Sequence, residues 1–96
     1  VSTWLALALA RQGKRQQAAQ VIAPVVTFDE GLLARDHGDV WVPYELAGAL
    51  YAQSLTEPPR RAALLARAAG LLAHLPVRLR HLRDVQVLRH WVAQGR

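Results

Sequence analysis

Four histidines are the residues of this chain whose chemistry first suggests a site, because imidazole is the commonest metal ligand in proteins. They are His37, His74, His81 and His90. No two of them lie three or four residues apart on one helix, and the nearest carboxylates, Asp39 and Asp84, bring no third ligand. The chain has no cysteine, which excludes thiolate metal sites and disulfides. We therefore expect no metal site.

Motifs for catalysis are also missing from the sequence. Ser2 and Ser54 have neither a neighbouring base nor the motif that presents a serine nucleophile. The six glycines are isolated from one another, so no glycine-rich loop can hold a phosphate group. These observations predict a protein that is not an enzyme and that binds no cofactor.

Charge gives the sharpest signal in the sequence. Residues 60–96 contain eight arginines and one acidic residue, Asp84, for a net charge of +7, whereas residues 1–59 carry a net charge of −2. Such a basic half can bind nucleic acid or another acidic partner, and we assign that alternative to Arg78, Arg80 and Arg83. The competing interpretation is a solvated arginine-rich face, because no aromatic residue for base stacking alternates with these arginines.

The composition is that of one folded domain. The chain has 96 residues, of which 52% are apolar and 20% charged. No apolar run approaches the roughly 20 residues that cross a bilayer, so we expect a cytoplasmic protein. Lysine and isoleucine each occur once and asparagine is absent, a bias that suggests a bacterial source. The chain starts at Val1 and contains no methionine, which predicts a piece of a longer protein.

The first half of the chain predicts a helical hairpin. Ser2 or Thr3 can cap a helix that runs to about residue 12, with apolar residues on nearly every side, and we expect this helix to be covered. Gly13 is placed to end it in a left-handed conformation. A second helix is expected over residues 14–35, with a kink at Pro24 and Gly38 at its C-terminal end. Residues 37–42 form a connection in which Trp41 folds back onto the helices.

The second half predicts another hairpin and a last helix. Pro43 opens a helix that ends at residue 54, and Thr56 caps the following helix, which runs to residue 75. The apolar stripe of that helix consists of Leu64, Leu65, Leu71, Leu72 and Leu75. Its flank of small residues, expected to meet a neighbouring backbone, consists of Ala63, Ala66, Gly70 and Ala73. A final amphipathic helix over residues 79–93 packs on this hairpin, with Trp91 as its main anchor.

The first hairpin has a leucine, a small residue beside it, a large residue three further on, a glycine at the turn and an alanine in the second helix: Leu5, Ala6, Leu9, Gly13 and Ala18. In the second hairpin the first-helix places are held by Ala47, Gly48 and Tyr51 and the alanine by either Ala63 or Ala68, and the turn glycine is missing. In this pattern the hairpins resemble tetratricopeptide repeats. The resemblance implies an all-α fold for residues 1–96: about five helices in stacked antiparallel hairpins, with a C-terminal capping helix.

The resemblance also implies where a partner binds. Partners of such repeats lie along the groove that is lined by the first helix of each hairpin. The residues expected to be exposed there are Thr3, Leu7, Arg11, Glu45, Ala49, Ala52 and Gln53. The chain is similar in this respect to the C-terminal repeat regions of larger bacterial regulatory proteins, including some serine/threonine kinases.

We therefore expect a non-catalytic interaction or scaffold module that binds another protein or another domain of its own chain. A homodimer is a further expectation, because Trp4 and Leu7 would expose apolar surface on the N-terminal hairpin. In such a dimer the acidic stretch 29–45 of one copy would meet the basic half of the other.

Overall fold

The computed structural model describes residues 2–35 and 41–95, and all of their regular structure is helical. The helices are α1 (Ser2–Arg11), α2 (Arg15–Arg35), α3 (Trp41–Ser54), α4 (Arg61–Ala73), α5 (Val77–Arg80) and α6 (Arg83–Gly95). A single 3₁₀ turn, Pro58–Arg60, precedes α4. The all-α expectation is confirmed. None of the described helices combines the length and the apolar character needed to cross a membrane.

Gly13 ends the first helix as predicted. Its φ of 82° lies in the left-handed region, where a side chain is strained. The amide of Lys14 donates to the carbonyl of Leu9 at 2.9 Å and so closes the helix end. α2 then continues unbroken through Pro24, which lies on the solvent side. The carbonyl of Gln20, which loses its helical donor at Pro24, is on an exposed residue and can bind water. Gly38 and most of the expected connection lie outside the described residues.

The turn between α3 and α4 differs from the prediction. Thr56 was expected to cap the following helix, but its hydroxyl donates to the carbonyl of Gln53 at 2.8 Å and closes the end of α3. The residue before the 3₁₀ turn is Glu57, and its side chain makes no capping bond. Pro58 and Pro59 explain the difference. Neither has an amide hydrogen that could be donated to a capping side chain.

The C-terminal part is divided more finely than predicted. α4 ends at Ala73 instead of residue 75, and the expected last helix is two helices, α5 and α6. Arg80 explains the first change, because its guanidinium group donates to the carbonyls of Ala73 at 2.7 Å and Leu75 at 2.9 Å. α5 buries Leu79, whereas Leu82 lies between the two helices and is exposed.

Two clusters of buried side chains form the core. The larger cluster joins α3, α4, α5 and α6, and the smaller one joins α1, α2 and α3. The predicted stripe of α4 is confirmed, since four of its five leucines are buried and Leu71 is half-buried. Its flank of small residues was wrongly expected to meet a neighbouring backbone. All four of these residues are exposed, and the buried alanine of α4 is Ala68.

Two aromatic residues are more exposed than predicted. Trp41 begins α3, remains 45% exposed and meets Tyr44 edge to face at 6.0 Å between ring centroids. Its ring is therefore only partly covered. Trp4 is 61% exposed and Leu5 is also exposed, so α1 is not covered on all sides. Only one face of α1 is packed, and on this face Ala6 and Leu7 join the cluster formed with α2 and α3.

Consecutive helices pack against each other from α1 to α4, and α1 also reaches α3. α6 packs mainly on α4 and makes a smaller contact with α3. α3 therefore lies between α1 and α6, and this arrangement creates the groove described next.

Candidate functional site

A cavity of about 440 Å³ lies where α1, α3 and α6 meet above α2. α1 supplies Ser2, Thr3, Trp4 and Leu7, α2 supplies Val25 and Asp29, α3 supplies Tyr44, Glu45 and Gly48, and α6 supplies Asp84, Val87, Leu88 and Trp91. Gly48 lies where α1 and α6 face α3. A Cβ atom at this position would make ordinary van der Waals contacts, at 3.8 Å, with side-chain carbons of both Thr3 and Leu88. Side chains of α1 and α6 thus meet α3 at this position.

Three carboxylates line this cavity, each on a different helix: Asp29, Glu45 and Asp84. Asp29 is only 4% exposed, and it makes no hydrogen bond or ion pair with another described residue. None of the fully buried side-chain oxygens and nitrogens of the described residues lacks a hydrogen-bond partner, so the carboxylate oxygens of Asp29 reach the open space of the cavity. Burial, and then the neighbouring charge of Glu45, raise the pKa of Asp29 above its usual range. Burial, followed by the charge of Asp84, also raises the pKa of Tyr44.

No positive charge balances these carboxylates in the described lining of the cavity. The described residues include two further carboxylates, and each of them pairs with an arginine elsewhere. Glu30 binds Arg67 through two bonds of 2.7 and 2.9 Å, which tie α2 to α4. Glu57 pairs with Arg60 at 3.2 Å. In a chain with a net charge of +5, the cavity is therefore a local site of unbalanced negative charge.

Aromatic rings form much of the cavity wall. Trp4 stands exposed at its edge, and Tyr44 and Trp91 are half-buried. Trp91 is held by Tyr51, whose ring is stacked with it at 5.7 Å between centroids. The guanidinium group of Arg11 also lies over Trp91, at 4.9 Å from the ring centroid. This contact is a cation–π interaction, so the ring is already used to hold a cation.

The seven groove residues predicted from the sequence divide into two groups. Thr3, Arg11 and Glu45 are at least partly exposed, and both Thr3 and Glu45 line the cavity. The predicted exposure is wrong for Leu7, Ala49, Ala52 and Gln53, all of which are buried. The reason is that α1 and α2 pack directly on α3, so these positions form the contact between hairpins. Leu7 contributes to the cavity wall from this buried position.

The predicted basic patch is not one continuous surface of free charges. Arg80 is half-buried and uses its guanidinium group to bind two backbone carbonyls at the end of α4. Arg78 and Arg83 are exposed. Of the three arginines assigned to the binding of nucleic acid or another acidic partner, two are therefore exposed.

Histidines and carboxylates do not converge into a metal site anywhere in the described ranges 2–35 and 41–95. The Nδ1 atom of His74 lies 2.7 Å from the carbonyl of Gly70, one turn earlier in α4. The cavity carboxylates therefore do not form the close ligand set that a metal ion requires.

Asp29 and Asp84 line the groove but were not predicted to do so, although the sequence carries a signal for Asp29. Asp29 follows Ile22 by seven residues and Val25 by four, which places an acidic residue on the apolar face of α2. The sequence carries no such signal for Asp84, because the direction of this side chain depends on where α5 ends and α6 begins.

Comparison of the chain with protein-family models, with curated proteins and with solved structures gives no match. The functional assignment therefore depends on the geometry of the groove.

Proposed function

We propose that this chain is a non-catalytic protein-interaction module whose partner binds in the groove formed by α1, α3 and α6. The observation that carries the proposal is the cavity of about 440 Å³ in this groove, with the exposed ring of Trp4 at its edge. Aromatic residues at a concave surface are typical of sites that bind other proteins. The partner is another protein or another domain of the same chain.

The order of the helices supports a repeat-like interpretation of this groove. α1 with α2 and α3 with α4 are consecutive packed pairs, and α6 follows α3 along the groove. The groove is thus lined by α1, α3 and α6, as the tetratricopeptide resemblance implies for the first helix of each repeat. A bacterial cytoplasmic scaffold is the setting that we propose for it, on the grounds of composition.

The basic half is a weaker candidate for the binding surface. Arg80 is used to close α4, and only Arg78 and Arg83 remain as exposed residues of the proposed patch. Non-specific nucleic-acid binding depends on several phosphate contacts acting together. The groove offers shape, aromatic surface and unbalanced charge at one place, which favours a protein partner.

Selection of peptides from a displayed random library against the immobilised domain tests the proposal. Selected peptides are then measured against wild type, Trp4→Ala and Phe28→Ala. Phe28 is a matched control, because it is 62% exposed, similar to Trp4 at 61%, but lies on α2 and does not line the cavity. We expect Trp4→Ala to weaken binding by about tenfold or more, as for an aromatic residue central to an interface, and Phe28→Ala to leave it unchanged.

Two results would overturn the proposal. One is the failure of every selected peptide to bind the soluble domain. The other is equal binding by wild type and Trp4→Ala, which would move the interaction away from the groove. A parallel titration with labelled DNA and RNA examines the basic alternative: tight binding at physiological salt that is lost in Arg78→Gln and Arg83→Gln would favour that alternative over the groove.

A further inference from the structure

None of the described residues that line the cavity of the groove is basic, although three of them are acidic. The two described carboxylates outside it, Glu30 and Glu57, are both paired with arginines, whereas the three inside it are not. Arginine is abundant in this chain, with eight residues in positions 60–96 alone. The absence of a described basic residue from the cavity lining is therefore a specific feature of this site.

Asp29 gives independent evidence for a ligand. It is 96% buried, since 4% of its surface is exposed, and it lines the cavity without a described hydrogen-bond partner. A buried carboxylate normally finds a hydrogen bond or a counter-ion, because burial without one is costly. Its neighbours Glu45 on α3 and Asp84 on α6 add negative charge to the same cavity and supply no counter-ion. The carboxylate of Asp29 therefore has no described counter-ion and is open to the cavity, where a cationic ligand can reach it.

We infer that the cavity receives the cationic side chain of an arginine or lysine from the partner protein, with Asp29 at its base and Glu45 and Asp84 at its sides. This inference rests on the proposed interaction function. The carboxylates supply the acceptors for charge-assisted hydrogen bonds, and Trp4 and Tyr44 supply aromatic surface for the cation and its alkyl chain.

The shape and chemistry of the cavity favour an organic cation over a metal ion. Its volume of about 440 Å³ is far larger than a bare ion needs, and the described carboxylates do not converge as metal ligands. The aromatic walls have no role in binding a metal but interact well with a guanidinium or ammonium group. The contact of Arg11 with Trp91 is an internal example of the same chemistry.

Small probes test this inference without knowledge of the partner. They are the N-acetyl, N′-methylamide derivatives of arginine and lysine, with citrulline and Nε-acetyl-lysine derivatives as uncharged counterparts. Titration is followed by ¹⁵N–¹H NMR in about 0.15 M salt, where the net charge of the protein is largely screened. The amide of Gly48 reports on the cavity, and the amide of Gly70, which is exposed on α4, is the control.

We expect a charged probe to shift the Gly48 signal and leave the Gly70 signal in place. The affinity should fall by about tenfold or more with the uncharged counterpart and also in Asp29→Asn. Glu57→Gln is the matched variant, because it removes one negative charge far from the cavity, and it should bind the probe as the wild type does.

Equal binding of charged and uncharged probes, unchanged binding in Asp29→Asn, or no binding of either charged probe would overturn the inference. Peptides that depend on Trp4 but contain neither arginine nor lysine would also overturn it, while leaving the interaction function in place. If no peptide binds the groove, the interaction function itself fails.

Discussion

At the scale of single residues, Asp29 is the side chain whose position is hardest to explain by folding alone. It occupies an apolar position of α2, one turn beyond Val25, where a valine or leucine would bury more apolar surface without a charge. Residues that serve binding commonly reduce the stability of the free domain. The carboxylate of Asp29 fits this pattern, because the energy lost in the free domain would be recovered on binding the proposed cation.

The variant Asp29→Asn should stabilise the free domain at neutral pH by about 0.5–2 kcal/mol. The pKa of Asp29 is raised in the folded state, so folding favours the protonated carboxyl, and its ionisation reduces stability as the pH rises through the folded-state pKa. Below the pKa of the unfolded chain, wild type and variant should differ little. The groups facing Asp29 are Glu45 and Tyr44 on α3 and Asp84 on α6. Urea unfolding at neutral and acidic pH measures the difference.

The control for this prediction is Glu57→Gln, which removes an exposed ion pair and should change stability by less than about 1 kcal/mol. A loss of stability in Asp29→Asn at neutral pH, or a gain that persists undiminished in acid, would contradict the account of Asp29 as an unpaired charge.

Part of the site could be predicted at this scale and part could not. Thr3 and Glu45, predicted from the register of the first helices, line the cavity. Helical spacing alone did not separate the groove from the contact between hairpins, so Ala49 and Ala52 were expected to be exposed but are buried. Which face of α3 is covered depends on how α3 packs against α1 and α2, and the local sequence does not determine that packing.

At the scale of helices, two glycines in the same chain have opposite roles. Gly13 has a φ of 82° and ends α1, whereas Gly70 lies inside α4 on the exposed side, and neither would place a Cβ within 4 Å of another group. Space therefore does not distinguish the two positions, and only backbone conformation does. The sequence correctly predicted the role of Gly13 but wrongly assigned Gly70 to a close helix contact.

Gly13→Ala should lower the free energy of unfolding by ~1–2 kcal/mol, because alanine is strained in the left-handed region. Gly70→Ala should raise it by ~0.5–1 kcal/mol, since alanine has the higher helix propensity and no neighbour is displaced. Chemical unfolding followed by circular dichroism measures both. Effects of the same sign in the two variants would show that the two helix positions are described incorrectly.

The end of α4 shows a limit of sequence analysis at the helix scale. No glycine or proline lies between Val77 and Gly95, so the apolar pattern predicted one helix there. The chain instead folds into α5 and α6 because Leu79 enters the core and Arg80 binds the free carbonyls at the end of α4. Both causes are contacts with another helix, and these are not visible in the periodicity of residues 77–95.

Arg80→Gln should cost about 1–2 kcal/mol of stability, because two backbone carbonyls lose charged hydrogen-bond donors. Arg78→Gln is the matched control, since it removes the same charge from the same short helix at an exposed position, and it should change stability by less than about 0.5 kcal/mol. Denaturant unfolding of both variants separates a structural role from an effect of net charge. Equal costs for the two would show that Arg80 acts only through its charge.

At the scale of the whole molecule, the two core clusters share α3 and are further joined by three half-buried side chains: Val26, Tyr51 and Trp91. Trp91 has the longest reach of these, because it extends from α6 to Tyr51 on α3 and to Arg11 on α1. The expectation that Trp91 anchors the last helix is therefore only part of its role. It also connects that helix to the first hairpin and forms a wall of the groove.

Trp91→Ala should destabilise the whole domain, and not only the end of α6. A fully buried aromatic residue costs ~3–5 kcal/mol when truncated to alanine, and Trp91 is half-buried, so we expect about 2–4 kcal/mol. Trp4→Ala is the control of equal size: its ring is 61% exposed, and its loss should cost less than about 1 kcal/mol. Unfolding is followed by circular dichroism, because fluorescence would lose the signal of the deleted residue.

The breadth of the effect distinguishes a connecting residue from a local anchor. If Trp91 joins the two clusters, amide hydrogen exchange in Trp91→Ala should become faster in α1 and α3 as well as in α6, because the opening of one cluster then exposes the other. Faster exchange confined to α6, together with a loss of stability below about 0.5 kcal/mol, would show that the first hairpin is stable without this contact.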